Sequence, residues 1–135
     1  MSLRGIAAWG PVVLCEALVL FLSSLKDPGL PNLFPNVDKV AHFIEYAGLG
    51  GLLWRALRWS GGTRRNSFLL TLVLIMALAA GDENWQKLWG RDRDFWDWVA
   101  DCFGSTFGVW VMSGLERWLP SGWARPPDEP GQGKA

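Results

Sequence analysis

Charge, cysteine and histidine are scarce in this chain of 135 residues. Only 19% of the residues are charged, and 13 Lys and Arg balance 13 Asp and Glu, so there is no electrostatic case for a nucleic-acid partner. The two cysteines, Cys15 and Cys102, lie in separate apolar stretches, which argues against a disulfide framework or a zinc knuckle. With His42 as its one histidine, the chain is poor in zinc ligands, and we predict neither a metal nor a cofactor.

Apolar residues and tryptophan are abundant instead. Half of the residues are apolar, and ten are tryptophan against a single tyrosine. Tryptophan collects where a membrane meets water. The composition therefore predicts an all-α integral membrane bundle of about four transmembrane helices. We expect residues 1–119 to form its one domain and the Pro- and Gly-rich residues 120–135 to be a disordered C-terminal tail.

Four segments are expected to form these helices. The first, about residues 6–25, is an uncleaved helix long enough to cross roughly 30 Å of hydrocarbon. The second covers about residues 38–58, and the fourth about residues 95–119. The third begins near Phe68, and its largely apolar stretch of thirteen residues, 68–80, is too short to span a bilayer. It must either continue through the polar residues 82–86 or end early inside the protein.

The distribution of lysine and arginine predicts the orientation. Cytoplasmic loops of membrane proteins carry an excess of these residues. The two ends of the chain and the loop between the second and third segments hold more of them than the other two loops. The sequence therefore favours a bacterial cytoplasmic membrane with both termini in the cytoplasm, and residues 55–65 carry the strongest signal.

Ionisable residues recur near the outward end of three segments. They are Asp38, His42, Glu45 and Tyr46 on the second segment, Asp82, Glu83 and Gln86 on the third, and Asp97 and Asp101 on the fourth. Spacings of three and four place the members of each set on one helical face. A charge in hydrocarbon costs about 2.5–3.5 kcal/mol, so we expect these side chains to face inward and to converge.

This polar cluster has two interpretations that the residues alone leave open. In the first it carries function: His42 is a base that Asp38 or Glu45 orients, and Glu83 joins Asp82 in the chemistry. In the second it is a structural network that locks the helices together. A hard cation held by the same side chains is disfavoured, and Glu16 either completes the network or is an isolated polar contact.

Small residues repeat every four positions along the fourth segment. Ala100, Gly104 and Gly108 therefore share one helical face, as in the G-x-x-x-G packing motif. This pattern predicts that a second helix lies close against Gly104 and Gly108.

The polar blocks resemble the VanZ-like family, small polytopic membrane proteins named for a member associated with resistance to the glycopeptide teicoplanin. The resemblance is carried by DKVAHFIEYAGLGGLL at residues 38–53 and DENWQ at residues 82–86, followed by Arg91, Asp97, Asp101 and Gly104. Asp101 stands where the family usually has Asn. Asn both donates and accepts hydrogen bonds, whereas an ionised Asp only accepts.

The resemblance implies a VanZ-like transmembrane domain over residues 1–119. As partners we expect membrane lipid and a lipid-linked envelope precursor or a glycopeptide-related ligand. The expected binding residues are Asp38, Lys39, His42, Glu45, Tyr46, Asp82, Glu83, Gln86, Arg91, Asp97 and Asp101.

Three function classes follow from these patterns. The first is an envelope protein that affects teicoplanin-type resistance or binds an envelope lipid or lipid-linked glycan through its outward polar cluster. The second is a membrane-embedded hydrolase or transferase that acts on a lipid headgroup, with candidate catalytic residues His42, Glu45, Asp82 and Glu83. The third is a structural partner of a membrane complex that docks through the small-residue ladder.

Overall fold

The described part of the chain is all-helical. A computed structural model describes residues 3–25, 36–90, 94–116 and 118, which contain four α-helices and no strand. The helices are α1 (Leu3–Ser23), α2 (Val37–Trp59), α3 (Arg64–Leu88) and α4 (Phe95–Leu115). The expected all-α fold is thus confirmed for these residues. The tail predicted over residues 120–135 lies outside them.

Side-chain caps fix where the third and fourth helices begin. The Thr63 hydroxyl accepts a hydrogen bond from the Asn66 amide at 3.2 Å, so α3 begins several residues before Phe68. The helix then continues to Leu88, so of the two alternatives left open by the sequence the structure shows the one in which the helix runs on through residues 82–86. Asp94 caps α4 in the same way, accepting from the Trp96 amide at 2.8 Å. The structure ends α4 at Leu115, which is earlier than the predicted residue 119.

Two of the helices, α1 and α3, are long and apolar enough to cross a membrane. They contain 21 and 25 residues, which correspond to about 31 and 37 Å of helix. Length and composition do not identify α2 and α4 as membrane spans. The membrane prediction is therefore confirmed only to the extent that α1 and α3 are candidate spans.

Much of the outside of the bundle is apolar, and the interior holds polar side chains beside an apolar core. Leu14, Phe21 and Val73 are among many large apolar side chains that are more than half exposed. Asp101 and Gln86, by contrast, are fully buried. Soluble bundles expose far fewer large apolar side chains, because water rewards the burial of apolar groups. An apolar exterior around buried carboxylates is typical of a protein surrounded by lipid.

Glycines bring α2 and α4 into backbone contact. A Cβ atom at Gly104 would overlap the carbonyl oxygen of Phe43, and one at Gly108 would overlap that of Ala47. On α2, a Cβ at Gly50 would lie 2.6 Å from the Cα of Ser105. The predicted close packing against the ladder is confirmed. The ladder is therefore covered by α2, which corrects the idea that this face is open for docking to another protein.

The two ends of the bundle carry opposite charge. The end where α2 and α4 begin and α1 and α3 finish holds the carboxylates, and we call it the acidic end. At the other end, Arg58 lies 3.0 Å and Arg64 lies 3.5 Å from the carboxylate of Glu116. There the Arg55 guanidinium also stacks 4.3 Å from the centre of the Trp59 ring. We call this second end the basic end.

Candidate functional site

The core of the acidic end is a histidine held between two aspartates. His42 lies one turn into α2, and Asp97 and Asp101 occupy successive turns of α4 on the face toward it. The Nδ1 atom of His42 lies 3.0 Å from Oδ1 of Asp101, and its Nε2 atom lies 3.6 Å from Oδ2 of Asp97. All three side chains are at least nine-tenths buried. The Asp101 contact is a hydrogen bond, and the Asp97 contact is at ion-pair distance. Two carboxylates beside one buried ring favour the imidazolium ion.

Lys39 is the second cation of the site and contacts three carboxylates. Its Nζ atom lies 3.2 Å from Asp38, 2.6 Å from Asp94 and 2.9 Å from Asp97. Asp97 is therefore shared between Lys39 and His42. Through these contacts the first turns of α2 and α4 are tied together by one continuous charged network.

The same three carboxylates have the arrangement of a cation site. The ligand atoms of Asp38, Asp94 and Asp97 lie within 4.8 Å of one another. The Lys39 ammonium contacts all three, so the protein supplies its own cation there. This group differs from the set around His42 and Glu45 that the sequence suggested for a hard cation.

The charge of Lys39 also acts on Asp94, the capping residue of α4. The hydrogen bond from the ammonium is the main reason that the pKa of Asp94 lies below its usual value, and the Trp96 amide adds to this effect. Asp94 is thus ionised at neutral pH and can accept from both donors at once.

A second group of polar contacts joins α1 to α3. Oδ2 of Asp82 accepts hydrogen bonds from the Ser23 hydroxyl at 2.8 Å and from the Gln86 amide at 3.2 Å. Asp82 also lies close enough to Asp101 for their charges to interact. The two groups therefore belong to one polar interior that all four helices line.

Glu83 connects α3 to the start of α4. Its Oε2 atom accepts a hydrogen bond from the backbone amide of Asp94 at 3.1 Å. Because Asp94 also contacts Lys39, Glu83 is linked through Asp94 to the charged network of α2 and α4.

The remaining predicted residues lie at different depths. Tyr46 is fully buried one turn below His42, and Glu45 is half-buried beside it. Glu16 is half-buried on α1, near enough to Asp82 for their charges to interact. Arg91 lies outside the described residues.

Two residues of the network were missed in the sequence. Ser23 ends the apolar run of α1, and a serine there has no signal that distinguishes it from an ordinary loop residue. Asp94 was recognisable, because an aspartate directly before an aromatic run that continues as a helix is a typical N-cap.

Buried oxygens without donors define what the site can bind. Oδ2 of Asp101, Oε1 of Glu83 and Oε1 of Gln86 accept no hydrogen bond from the described residues, and the Tyr46 hydroxyl also lacks a partner among them. A buried polar atom left without a partner destabilises a protein by about 1–3 kcal/mol. The arrangement therefore suits a group that brings hydrogen-bond donors or positive charge.

Comparisons of the chain with protein-family models, curated proteins and solved structures give no match, so the family resemblance rests on the motif residues alone.

Replacing Lys39 by methionine should weaken the acidic end. The change removes the one ammonium shared by Asp38, Asp94 and Asp97, and the free energy of unfolding in detergent should fall by about 1–3 kcal/mol. Lys87→Met is the matched control at the same end, because Lys87 is exposed, and its effect should stay within about 0.5 kcal/mol.

The difference between the parent and Lys39→Met should depend on pH. A carboxylate whose pKa is lowered in the folded state stabilises the protein above its unfolded pKa of about 3.9 and loses this contribution as the pH falls through the folded value. Because Lys39 lowers the pKa of Asp94, the stability difference should be full at pH 7 and should shrink below about pH 4. A difference that grows on acidification would contradict the assignment.

Proposed function

We propose that this chain is an integral membrane protein of the VanZ-like type whose acidic end faces outward and binds the polar head of an envelope lipid or lipid-linked glycan. The observation that carries the proposal is the set of buried carboxylate and amide oxygens at this end that accept no hydrogen bond from the part of the chain that the structure describes. Glycan hydroxyls and lipid ammonium groups are the donors that such heads offer. Resistance of the teicoplanin type would follow if occupancy changed the access of the drug to its envelope target.

Four membrane-spanning helices are part of this proposal. All four helices lie in one bundle with an apolar exterior, and α2 carries the same close glycine contacts that pack transmembrane helices. Exposed tryptophans also cluster at the two ends, with Trp89 and Trp96 at the acidic end and Trp118 at the basic end. Tryptophan at both ends of an apolar band is typical of a membrane protein.

Charge supports the outward orientation of the acidic end. Arg55, Arg58, Arg64 and Arg65 all belong to the basic end, and positive residues of short loops stay in the cytoplasm. Both termini are then cytoplasmic, since α1 begins and α4 ends at the basic end.

Labelling of single cysteines should reveal this orientation. In a background without Cys15 and Cys102, we expect Asn66→Cys to react with an impermeant thiol reagent only after cells are opened, because Asn66 is exposed at the basic end. Lys87→Cys, exposed at the acidic end, should react in intact cells. Thr63 is a poorer position, because its hydroxyl caps α3. The reverse labelling pattern would show that the acidic end faces the cytoplasm.

The histidine geometry favours binding over catalysis. A general base needs a ring nitrogen free to take a proton from the substrate. Both nitrogens of His42 face carboxylates, those of Asp97 and Asp101, at 3.6 and 3.0 Å. A hydrolase or transferase at this site would need this ring to leave one of its two partners.

Lipid retention tests the proposed function. The purified protein is offered lipids with the same acyl chains that differ only in the head, including a lipid-linked disaccharide, common phospholipids and diacylglycerol, and bound lipid is counted by native mass spectrometry. At least one lipid with a large polar head should be retained over diacylglycerol. Equal retention of every lipid would refute headgroup binding.

The resistance part of the proposal has its own test. Expression in a teicoplanin-susceptible host should raise the inhibitory concentration of teicoplanin. An unchanged inhibitory concentration, at confirmed protein levels in the membrane, would remove resistance from the function and leave lipid binding to be judged separately.

A further inference from the structure

A cavity opens between α3 and α4 beside the charged network. Its volume is about 300 Å³, and Ala80, Glu83, Asp94, Phe95 and Trp98 line it. Pockets that bind small molecules begin at about this size. It lies at the acidic end, where Phe95 and Trp96 are both more than 60% exposed toward the surroundings of the bundle.

The charged wall of this cavity is Glu83. This residue is only 5% exposed, and its Oε2 atom is occupied by the Asp94 amide. Its Oε1 atom is buried and accepts no hydrogen bond from the described residues. His42 lies close enough for its charge to act on Glu83, but both of its ring nitrogens face other carboxylates, those of Asp97 and Asp101. Among the described residues this oxygen therefore has no donor, and a ligand can provide one.

The opposite wall is aromatic. The rings of Phe95 and Trp98 stack with their centres 5.8 Å apart and their planes inclined by 27°. The indole nitrogen of Trp98 points toward the carbonyl oxygen of Met76 on α3, at 3.5 Å, which helps to hold the ring against that helix. Aromatic faces attract cations, and quaternary or primary ammonium groups are commonly bound by aromatic rings together with a carboxylate.

We infer that the cavity between α3 and α4 binds the ammonium group of a lipid headgroup, with Glu83 as its anionic anchor and Phe95 and Trp98 as its aromatic wall. The inference rests on the proposed function, which places the acidic end at the level of lipid heads. An ammonium group supplies both the positive charge and the N–H donors that Oε1 of Glu83 lacks. A lipid is the favoured source because the cavity adjoins the exposed apolar outside of the bundle.

Headgroup preference is the first test. With native mass spectrometry as the readout, phosphatidylethanolamine should be retained roughly tenfold over phosphatidylglycerol with the same chains, as expected for one charge-assisted hydrogen bond. Phosphatidylcholine, which has the charge but no N–H, should be intermediate. Equal retention of the three phospholipids would overturn the inference, whereas the proposed function would still hold if another polar head outcompeted diacylglycerol.

Glu83→Gln tests the anchor. The amide keeps the size of the side chain and an oxygen that can accept from Asp94, but it removes the charge, so the tenfold preference should disappear. A thermal melt in the same detergent must stay close to that of the parent. If the variant is stable and keeps the preference, Glu83 is not the anchor.

Two neighbouring aromatic residues provide a matched pair for the wall. Phe95 and Trp96 are both exposed at the start of α4, but only Phe95 is among the residues that line the cavity. Phe95→Leu should therefore reduce phosphatidylethanolamine retention several-fold, while Trp96→Leu should leave the headgroup preference as it is. Equal losses in both variants would point to a general effect of interfacial aromatics and would contradict a specific wall.

Soluble competitors identify the source of the ammonium group. We expect millimolar ethanolamine to displace phosphatidylethanolamine weakly and sodium chloride at the same ionic strength to displace it clearly less. Displacement by ethanolamine at micromolar concentration would identify a site for a free amine and overturn the lipid assignment. Equally strong displacement by sodium would identify an inorganic cation site and overturn the ammonium assignment.

Discussion

Replacing Gly108 by alanine is expected to destabilise the bundle by about 3 kcal/mol or more, at the upper end of overpacking effects. The added methyl group would overlap the backbone carbonyl of Ala47, which cannot rotate away as a flexible side chain could. The two helices must separate, and the contacts at Gly104 and Gly50 would loosen with them. Thermal unfolding in detergent, read from the helical circular dichroism signal, measures the loss.

Gly114→Ala is the matched control on the same helix. A Cβ there meets nothing within 4 Å, so this variant should be neutral or more stable by up to about 1 kcal/mol, because alanine favours helix over glycine. A Gly108→Ala protein that melts like the parent would mean that α2 and α4 do not pack through this contact.

The glycine contacts also explain how the site is assembled. Both α2 and α4 begin at the acidic end and run in the same direction. Gly104 contacts Phe43, and Gly108, four residues further on, contacts Ala47, which is four residues after Phe43. This register is set by close backbone approach. As a result, His42 lies at the same level as Asp101, which is one helical turn closer to the acidic end than Gly104. Loss of the packing at Gly108 should therefore disturb the charged network as well as the stability.

Much of the fold follows from sequence because apolar runs and caps are local signals. The lengths of the runs predict four helices, and the spacing of Gly104 and Gly108 predicts a close helix contact. The end of the third helix was harder to predict, since its last turns carry Asp82, Glu83 and Gln86. Their burial depends on partners from other helices, which no local pattern contains.

The pairing within the site was beyond sequence reasoning for the same reason. Helical spacing places Asp97 and Asp101 on one face, but it does not say which residue of α2 each one meets. Ser23 was missed because its role depends on the position of Asp82, 59 residues away in the chain. Lys39 was included through the family resemblance, yet its contact with Asp94 depends on the path of the chain into α4.

Replacing His42 by glutamine is expected to give the second large effect. Asp101 is fully buried, and its one hydrogen-bond partner among the described residues is His42. Removing one partner from a buried ion pair costs about 3–5 kcal/mol, because the remaining charge is left uncompensated. We expect the thermal stability of His42→Gln in detergent to fall accordingly. An unchanged melting temperature would mean that Asp101 finds another donor or is neutral in the folded protein.

Asp101→Asn separates the fold from the function of the cluster. The amide oxygen of the new side chain would still accept a hydrogen bond from His42, so this variant should be much more stable than His42→Gln. In the double variant that combines His42→Gln with Asp101→Asn, the two side-chain amides can hydrogen-bond to each other. The stability lost in His42→Gln should then be partly recovered, with a coupling free energy of about 0.5–3 kcal/mol between the two positions. If the stability losses of the two single variants simply add up in the double variant, this double-mutant cycle would indicate that the two side chains do not interact.

Lipid retention in the same three variants then decides what the network is for. If buried carboxylate oxygens bind the polar head, Asp101→Asn and the double variant should fold well and yet retain the preferred lipid roughly tenfold less, since one anionic acceptor is gone. If the network only holds α2 against α4, retention should follow stability through all three variants. A stable Asp101→Asn protein with full retention would confine headgroup binding to Glu83 and the cavity beside it, leaving Asp101 with a structural role.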